Sequence, residues 1–201
     1  MLDKVGIIIL AAGNSSRLGQ SKQLLRYKNK TLLRHVVEEA IESRASTVLV
    51  VLGANGEEHK RELTDLPILI AENGNWEKGM GTSIAAGCKE ILKQAPLTDA
   101  VILCVCDQPH LGTAIIDKLI ELGETSSKGL AACKYADAIG TPALFKVKYF
   151  IALQDLEGNQ GAKVILQAYR QDLELLDFPE GAIDIDTKTD YTNLLNTQLT
   201  D

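Results

Sequence analysis

Aromatic side chains are scarce: three Phe, one Trp and five Tyr make up 4% of the 201 residues. The core must therefore rest on Ile, Leu, Val and Ala, which favours buried strands covered by helices over an aromatic-rich sandwich. Basic residues are the minority, 21 Lys+Arg against 27 Asp+Glu for a net charge of −6. That balance excludes a general nucleic-acid or anionic-membrane surface, but not a local cationic pocket. No apolar run reaches the roughly 18 residues of a membrane span. The opening Met1-Leu-Asp-Lys-Val runs into a short apolar stretch without a small-residue cleavage pattern, so no signal peptide is expected and the expected location is the cytoplasm. No Cys-x-x-Cys pair occurs among Cys88, Cys104, Cys106 and Cys133; reduced, packed thiols are expected, with Cys104 and Cys106 on one side of a strand. No repeat, low-complexity tract or linker interrupts the chain, and residues 1–201 are expected to form a single domain.

What is present alternates between two periods. Val5 to Leu10 is a continuous apolar run, too short for a helix and rich in β-branched residues. Leu32, Leu33, Val36, Val37, Ala40 and Ile41 then recur at helical spacing. Strands follow at Thr47 to Leu52 and Pro67 to Ala71, a helix at Thr82 to Gln94, the clearest buried strand at Ala100 to Cys106, and a helix at Thr113 to Leu122. Leu130 to Cys133 and Ala143 to Phe145 read as strands on either side of a Gly-Thr-Pro turn. A helix near Ala162 to Tyr169, strands at Leu173 to Phe178 and Ala182 to Asp186, and a last helix capped by Thr187 with Asp190 complete the chain. This alternation predicts an α/β protein with a mostly parallel sheet.

The loop Leu10-Ala-Ala-Gly-Asn-Ser-Ser-Arg-Leu-Gly-Gln-Ser-Lys22 carries the most chemistry. Ala11, Ala12 and Gly13 let a ligand approach the backbone, whose N–H groups favour anions. Arg17 adds a forked donor suited to phosphate oxygens, and Lys22 adds a compact positive charge. Neither G-x-x-x-x-G-K-[ST] nor G-x-G-x-x-G is present, since Gly19 is followed by Gln20-Ser21-Lys22. A plain strand-to-helix loop with surface Arg and Lys is the competing reading.

Asp107 lies where a buried strand should meet the carboxyl edge of the sheet, the place where open α/β sheets bind ligands. A carboxylate there, with Pro109 stopping the strand, suits Mg²⁺, which takes oxygen ligands and keeps several waters. Asp184 and Asp186 stand two apart on a predicted strand, facing away from Ile183 and Ile185, and either would bring a second carboxylate. A cap or solvated strand end is the competing reading for each. The three histidines show no metal-ligand spacing; His35 is expected on a partly exposed helix face and His59 at the surface. Periodicity leaves Trp76 and Tyr149 undecided between core and cleft.

Four segments in order resemble the MobA-like NTP transferases, and among them most closely the molybdenum cofactor cytidylyltransferases: Leu10-Ala-Ala-Gly through Lys22-Gln-Leu-Leu, Asn75-Trp through Gly79-Met-Gly-Thr-Ser83, Cys106-Asp-Gln-Pro109, and Gly140-Thr-Pro-Ala-Leu-Phe145. Two further segments, Gly158-Asn-Gln-Gly-Ala-Lys163 and Asp184 to Tyr191, extend the likeness over nearly the whole chain. The resemblance implies a three-layer α/β/α Rossmann-like, nucleotide-diphosphosugar-transferase-like fold. It also implies roles: Ala11, Ala12 and Gly13 line base and ribose, Gly79 and Ser83 help recognise the base, and Arg17 and Lys22 hold the triphosphate. Asp107 and Asp186 bind Mg²⁺ at the α-phosphate. The implied reaction moves CMP from CTP to the phosphate of molybdopterin and expels pyrophosphate, with a molybdenum hydroxylase as a possible client. A guanylyltransferase, a sugar-phosphate nucleotidyltransferase or a non-catalytic cofactor-delivery protein are the alternatives. Ala12, where GTP-using relatives tend to have glycine, favours CTP. Thr141 and Asn159 depart from the Gly-His-Pro and Gly-Asp-x-Gly-Ala patterns of the resembled family, both on the expected acceptor side.

Overall fold

The computed structural model describes residues 2–14 and 18–198. Apolar runs of four to nine residues form a seven-stranded sheet, and a two-stranded hairpin stands apart from it. In chain order the strands are β1 (Val5–Ala11), β2 (Arg26–Tyr27), β3 (Lys30–Thr31), β4 (Thr47–Leu52), β5 (Leu69–Glu72), β6 (Ala100–Val105), β7 (Leu130–Tyr135), β8 (Ala138–Lys146) and β9 (Leu173–Asp177). The helices are α1 (Leu32–Ile41), α2 (Gly56–Arg61), α3 (Met80–Gln94), α4 (Thr113–Thr125), α5 (Phe150–Gln154), α6 (Lys163–Ala168) and α7 (Lys188–Gln198). The large sheet has the order β5-β4-β1-β6-β8-β7-β9; β8 alone runs against its neighbours, and β2 pairs with β3.

The pleat divides each central strand between two cores. Val5, Ile7, Ile9 and Ala11 of β1, with Ala100, Ile102 and Cys104 of β6, pack against Leu33, Val36 and Val37 of α1 and Ile116, Leu119 and Ile120 of α4. On the other face Ile8, Val101 and Leu103 meet Ile84, Cys88 and Ile91 of α3, Phe150 and Leu153 of α5, and Ile165 and Leu166 of α6. Strands buried on both faces need continuous apolar sequence, which is why β1, β4 and β6 stand out in it. The result is the expected three-layer α/β/α arrangement. Among the described residues no helix is long and apolar enough to cross a membrane. All four cysteines are buried and unbridged, and Cys104 and Cys106 fall in the same core cluster.

Several local expectations are corrected. Gly140-Thr-Pro142 is not a turn; it lies inside β8, and the chain reverses at Ala136 and Asp137 between β7 and β8. Residues Ala182 to Asp186 form no strand: a short 3-10 turn (Pro179–Ala182) runs into irregular chain, and the hairpin of β2 and β3 and helix α2 were not foreseen. Two-residue strands and a six-residue helix are too short for a period to show. Ile185 is fully buried with Leu18, Leu25, Tyr27, Leu32 and Leu194, whereas Ile183 is 46% exposed, so the two do not share one buried face. Thr187 and Asp190 do form the reciprocal cap of α7: Asp190 N donates to Thr187 Oγ1 at 3.2 Å and Thr187 N to Asp190 Oδ2 at 2.7 Å.

His35 and His59 are both buried, contrary to expectation, at 4% and 0% exposure. His35 donates from Nε2 to the Pro109 carbonyl at 3.0 Å, tying α1 to the segment after β6. Burial holds both imidazoles below their ordinary pKa of 6.5. The unfolded chain therefore binds more protons than the folded one as pH drops below about 6.5, and stability falls with it until the depressed folded pKa values are passed. Denaturant melts between pH 7.5 and 5.5 are expected to lose up to about 1.4 kcal/mol per pH unit for each such histidine. Asp184, whose carboxyl is pushed up to about 6, works in the opposite sense over part of this window, so it is a flat profile in an Asp184→Asn background that would contradict neutral burial of both rings.

Candidate active site

Strands β1 and β6 lie side by side in parallel, with Leu10 opposite Val105. The chain continues from β1 to β4 on one side, and β6 lies on the other, so the order of the sheet switches direction at this point. Loops leaving adjacent strand ends must then diverge, and a crevice opens between them. A cleft of about 710 Å³ occupies that place. The end of β1 contributes Leu10, Ala12, Gly13 and Asn14 to its lining, and the end of β6 contributes Val105, Cys106 and Asp107. Lys22 and Gln23 line it from the 3-10 turn Lys22–Leu24; Trp76 and Glu77 from the 3-10 turn Trp76–Lys78; Gly79, Met80 and Ser83 from the start of α3; and Asn159 from the loop before α6.

Two side chains far apart in sequence meet on one ammonium. Lys22 Nζ donates to Asp107 Oδ2 in a short contact, and to Asp186 Oδ1 at 3.1 Å. Burial opposes the charge on Lys22, but Asp107 and then Asp186 outweigh it and its pKa is raised. Asp186 reaches this point because Ile185 N donates to the Asp107 carbonyl at 3.0 Å, while the Ile185 side chain is locked in the small core beneath. Gln108, fully buried, donates Nε2 to the Gly181 carbonyl at 2.9 Å and holds the same segment from its other end. Asp184 lies close enough to share the field: burial pushes its carboxyl up to about 6, and the charges of Asp107 and Asp186 add to the shift. Among the described residues no group of three His, Cys, Asp or Glu forms a ready metal cage.

The structure brings together Ala12, Gly13, Lys22, Gly79, Ser83 and Asp107 as cleft-lining residues, with Asp186 joined to Lys22. Ala11 is not among the lining residues; its side chain faces the core shared with α1 and α4. Arg17 lies outside the described residues. Trp76 proves to line the cleft, while Tyr149 is core, its hydroxyl donating to Asp172 Oδ2 at 2.5 Å.

Sequence reasoning assigned no role to two contributors, Gly53 and Gln23. Gly53, just past β4, stands where a Cβ would come within 2.8 Å of the Ala12 carbonyl and 2.7 Å of Trp76 Cβ. Only glycine lets β4 pass so close beneath the loop; its position at the end of an apolar run was the available signal. Asn159, expected on the acceptor side, lines the cleft with Gly79. A Cβ on Gly79, whose φ is 115°, would fall 2.3 Å from the Gly158 carbonyl, and Gly81 N donates to that carbonyl at 2.9 Å. Gln23 is fully buried and donates Nε2 to the carbonyls of Ala11 (3.2 Å) and Gly13 (2.8 Å). No spacing rule distinguishes such a glutamine from a surface one.

Comparison with known proteins adds an independent line. The MobA-like NTP transferase domain matches residues 7–173. The nicotine blue oxidoreductase of Paenarthrobacter nicotinovorans is 27% identical over 197 residues, covering 94% of this chain and 95% of that protein. The molybdenum cofactor cytidylyltransferase of Escherichia coli is 30% identical over 122 residues, 60% of either chain. Among solved structures, Rv0371c of Mycobacterium tuberculosis in complex with manganese superposes with a TM-score of 0.78 at 24% identity, covering 96% of this chain and 99% of that one. The sheet order, the crevice at its switch point and a domain match over most of the length lead to one conclusion: the chain belongs to the MobA-like NTP transferase family.

Proposed function

We propose that this protein transfers CMP from CTP to the phosphate of molybdopterin with release of pyrophosphate. The observation that carries the reading is Lys22 Nζ held jointly by Asp107 and Asp186 in a cleft lined by Ala12, Gly13, Gly79 and Ser83. A cation and two carboxylates at the mouth of a small-residue loop suit a nucleotide's polyphosphate and the metal that travels with it. The cytidylyltransferase relative of Escherichia coli supports the choice of acceptor and base.

In this reading the triphosphate lies along the loop after β1, with Lys22 and Arg17 on its oxygens and the base against Gly79 and Ser83. The acceptor phosphate is already ionised near pH 7 and needs no strong base. It attacks the α-phosphorus in line; a new phosphorus–oxygen bond forms, the bond to the bridging oxygen breaks, and pyrophosphate leaves with that electron pair. Positioning and charge neutralisation supply most of the rate in such transfers. Asp107 and Asp186 fit Mg²⁺: both offer oxygen donors, both already contact a single cation, and two carboxylates leave room for waters and phosphate oxygens. When bound there, Mg²⁺ supplies charge neutralisation at the α-phosphate. Ala12, only 4% exposed at the cleft wall, narrows the space beside the base and favours the smaller pyrimidine. A methyl of this kind is worth about 1–3 kcal/mol of discrimination. A molybdenum hydroxylase would be the natural client for the product.

Incubation with each NTP, Mg²⁺ and purified molybdopterin should give a pterin cytosine dinucleotide by mass, with one equivalent of pyrophosphate. A guanine dinucleotide, or product only with a sugar phosphate, would reassign base or acceptor; no pyrophosphate with any pair would end the transferase reading. Ala12→Gly is expected to narrow the CTP-over-GTP ratio in kcat/KM, and an unchanged ratio would refute the steric account. Asp107→Asn should lower kcat by roughly 10²-fold or more with the melting temperature preserved, whereas wild-type turnover would remove Asp107 from the mechanism. Lys22→Ala should weaken CTP binding by about tenfold to a hundredfold, about 1.4–2.8 kcal/mol by calorimetry; unchanged affinity would contradict its contact with phosphate.

A further inference from the structure

His59 sits on α2, remote in sequence from every motif of the site, yet it is fully buried and its Nε2 lies 2.7 Å from Ser21 Oγ. Ser21 Oγ in turn lies 2.8 Å from Gln23 Oε1, and Gln23 Nε2 reaches the carbonyls of Ala11 and Gly13. The direction of every bond in this chain follows from its last link. Carbonyl oxygens only accept, so the Gln23 amide nitrogen must face Ala11 and Gly13, which turns Oε1 toward Ser21. An amide oxygen also only accepts, so the single hydroxyl proton of Ser21 is spent on Gln23. His59 Nε2 must then be the donor to Ser21. Its Nδ1, buried and without a partner among the described residues, is left carrying the lone pair of the neutral ring. A proton on Nδ1 would strand a buried donor, so this arrangement selects one tautomer.

The relay brackets Lys22. Ser21 and Gln23 are its two chain neighbours, and the turn Lys22–Leu24 begins between them. The same relay occupies the carbonyl oxygens of Ala11 and Gly13, groups in this loop that would repel a polyphosphate. We propose that His59 is a positioning residue for the nucleoside triphosphate: as the neutral Nε2–H tautomer it orders Ser21 and Gln23, which fix the loop after β1 and present Lys22 to the phosphates. This rests on the nucleotide-binding reading above; His59 itself touches neither nucleotide nor acceptor in it.

The test uses the full chain and measures CTP affinity by calorimetry, melting temperature, and the side-chain nitrogen spectrum of the histidines. The expected spectrum shows His59 protonated on Nε2 alone; protonation on Nδ1 would overturn the relay whatever the protein binds. His59→Leu is expected to weaken CTP binding about tenfold. His59→Gln, whose amide nitrogen lies near the place of Nε2, should bind within about twofold of wild type, and His59→Asn, whose amide stops short, should not. A merely structural role predicts affinity that follows melting temperature across the three variants, and that outcome, or a His59→Leu variant with wild-type affinity, would overturn the proposal. Should His59→Leu fail to fold, Ser21→Ala removes the middle link: the same tenfold loss supports the relay, and unchanged affinity sinks it. Failure of the wild-type protein to bind CTP or any other NTP would instead count against the nucleotide reading itself, a result distinct from equal binding by wild type and variants.

Discussion

The ammonium of Lys22 is the point at which three separate parts of the chain are forced to agree. Two carboxylates, Asp107 and Asp186, lie close enough to touch the same nitrogen, and without a cation between them their like charges would push the strand end and the C-terminal segment apart. Lys22 arrives from the loop after β1, Asp107 from the end of β6, and Asp186 from irregular chain before α7. The cluster is thus electrostatic glue for the edge of the sheet.

The sheet makes that meeting possible by being rigid where it needs to be. β1 and β6 are buried on both faces, so their ends cannot drift, and the loops that leave them start from fixed points. Rigidity is carried outward by specific devices rather than by bulk packing. Ile185 is pinned in a third, small core and its backbone bonded to Asp107; Gln108 holds Gly181; His35 holds Pro109. Each fixes the chain at a point one or two residues from Asp107 or Asp186. Glycine does the complementary work at Gly53 and Gly79, where any side chain would collide with the backbone or ring that closes the cleft.

The family match and the relay through His59 bear on different levels of the same site. Members of one fold family carry names as unlike as an oxidoreductase and a cytidylyltransferase, so the scaffold alone does not choose the reaction. What this chain adds is its own set of residues: Ala12 at the cleft wall, Thr141 and Asn159 where the resembled pattern has other residues, and a buried histidine behind the loop.

Periodicity in the sequence by itself determined the α/β class with its mostly parallel sheet, the positions of β1, β4 and β6, and the long helices α1, α3 and α4; the family resemblance added the three-layer arrangement, and the Thr187–Asp190 spacing the cap of α7. The strands and helices depend on patterns of a few residues repeated over six or more positions, which are local properties. The ordered motifs likewise marked Lys22, Asp107 and Asp186. Only the tertiary structure decided that Asp186 joins them from chain that is not a strand, that Asn159 faces the cleft, that Gly140 to Pro142 lie within β8, and that His59 is interior. The physical reason is the same in each case. A carboxylate's partner, an irregular segment's path and the burial of one polar ring are set by contacts between residues tens to more than a hundred positions apart, and such contacts leave no period in the sequence.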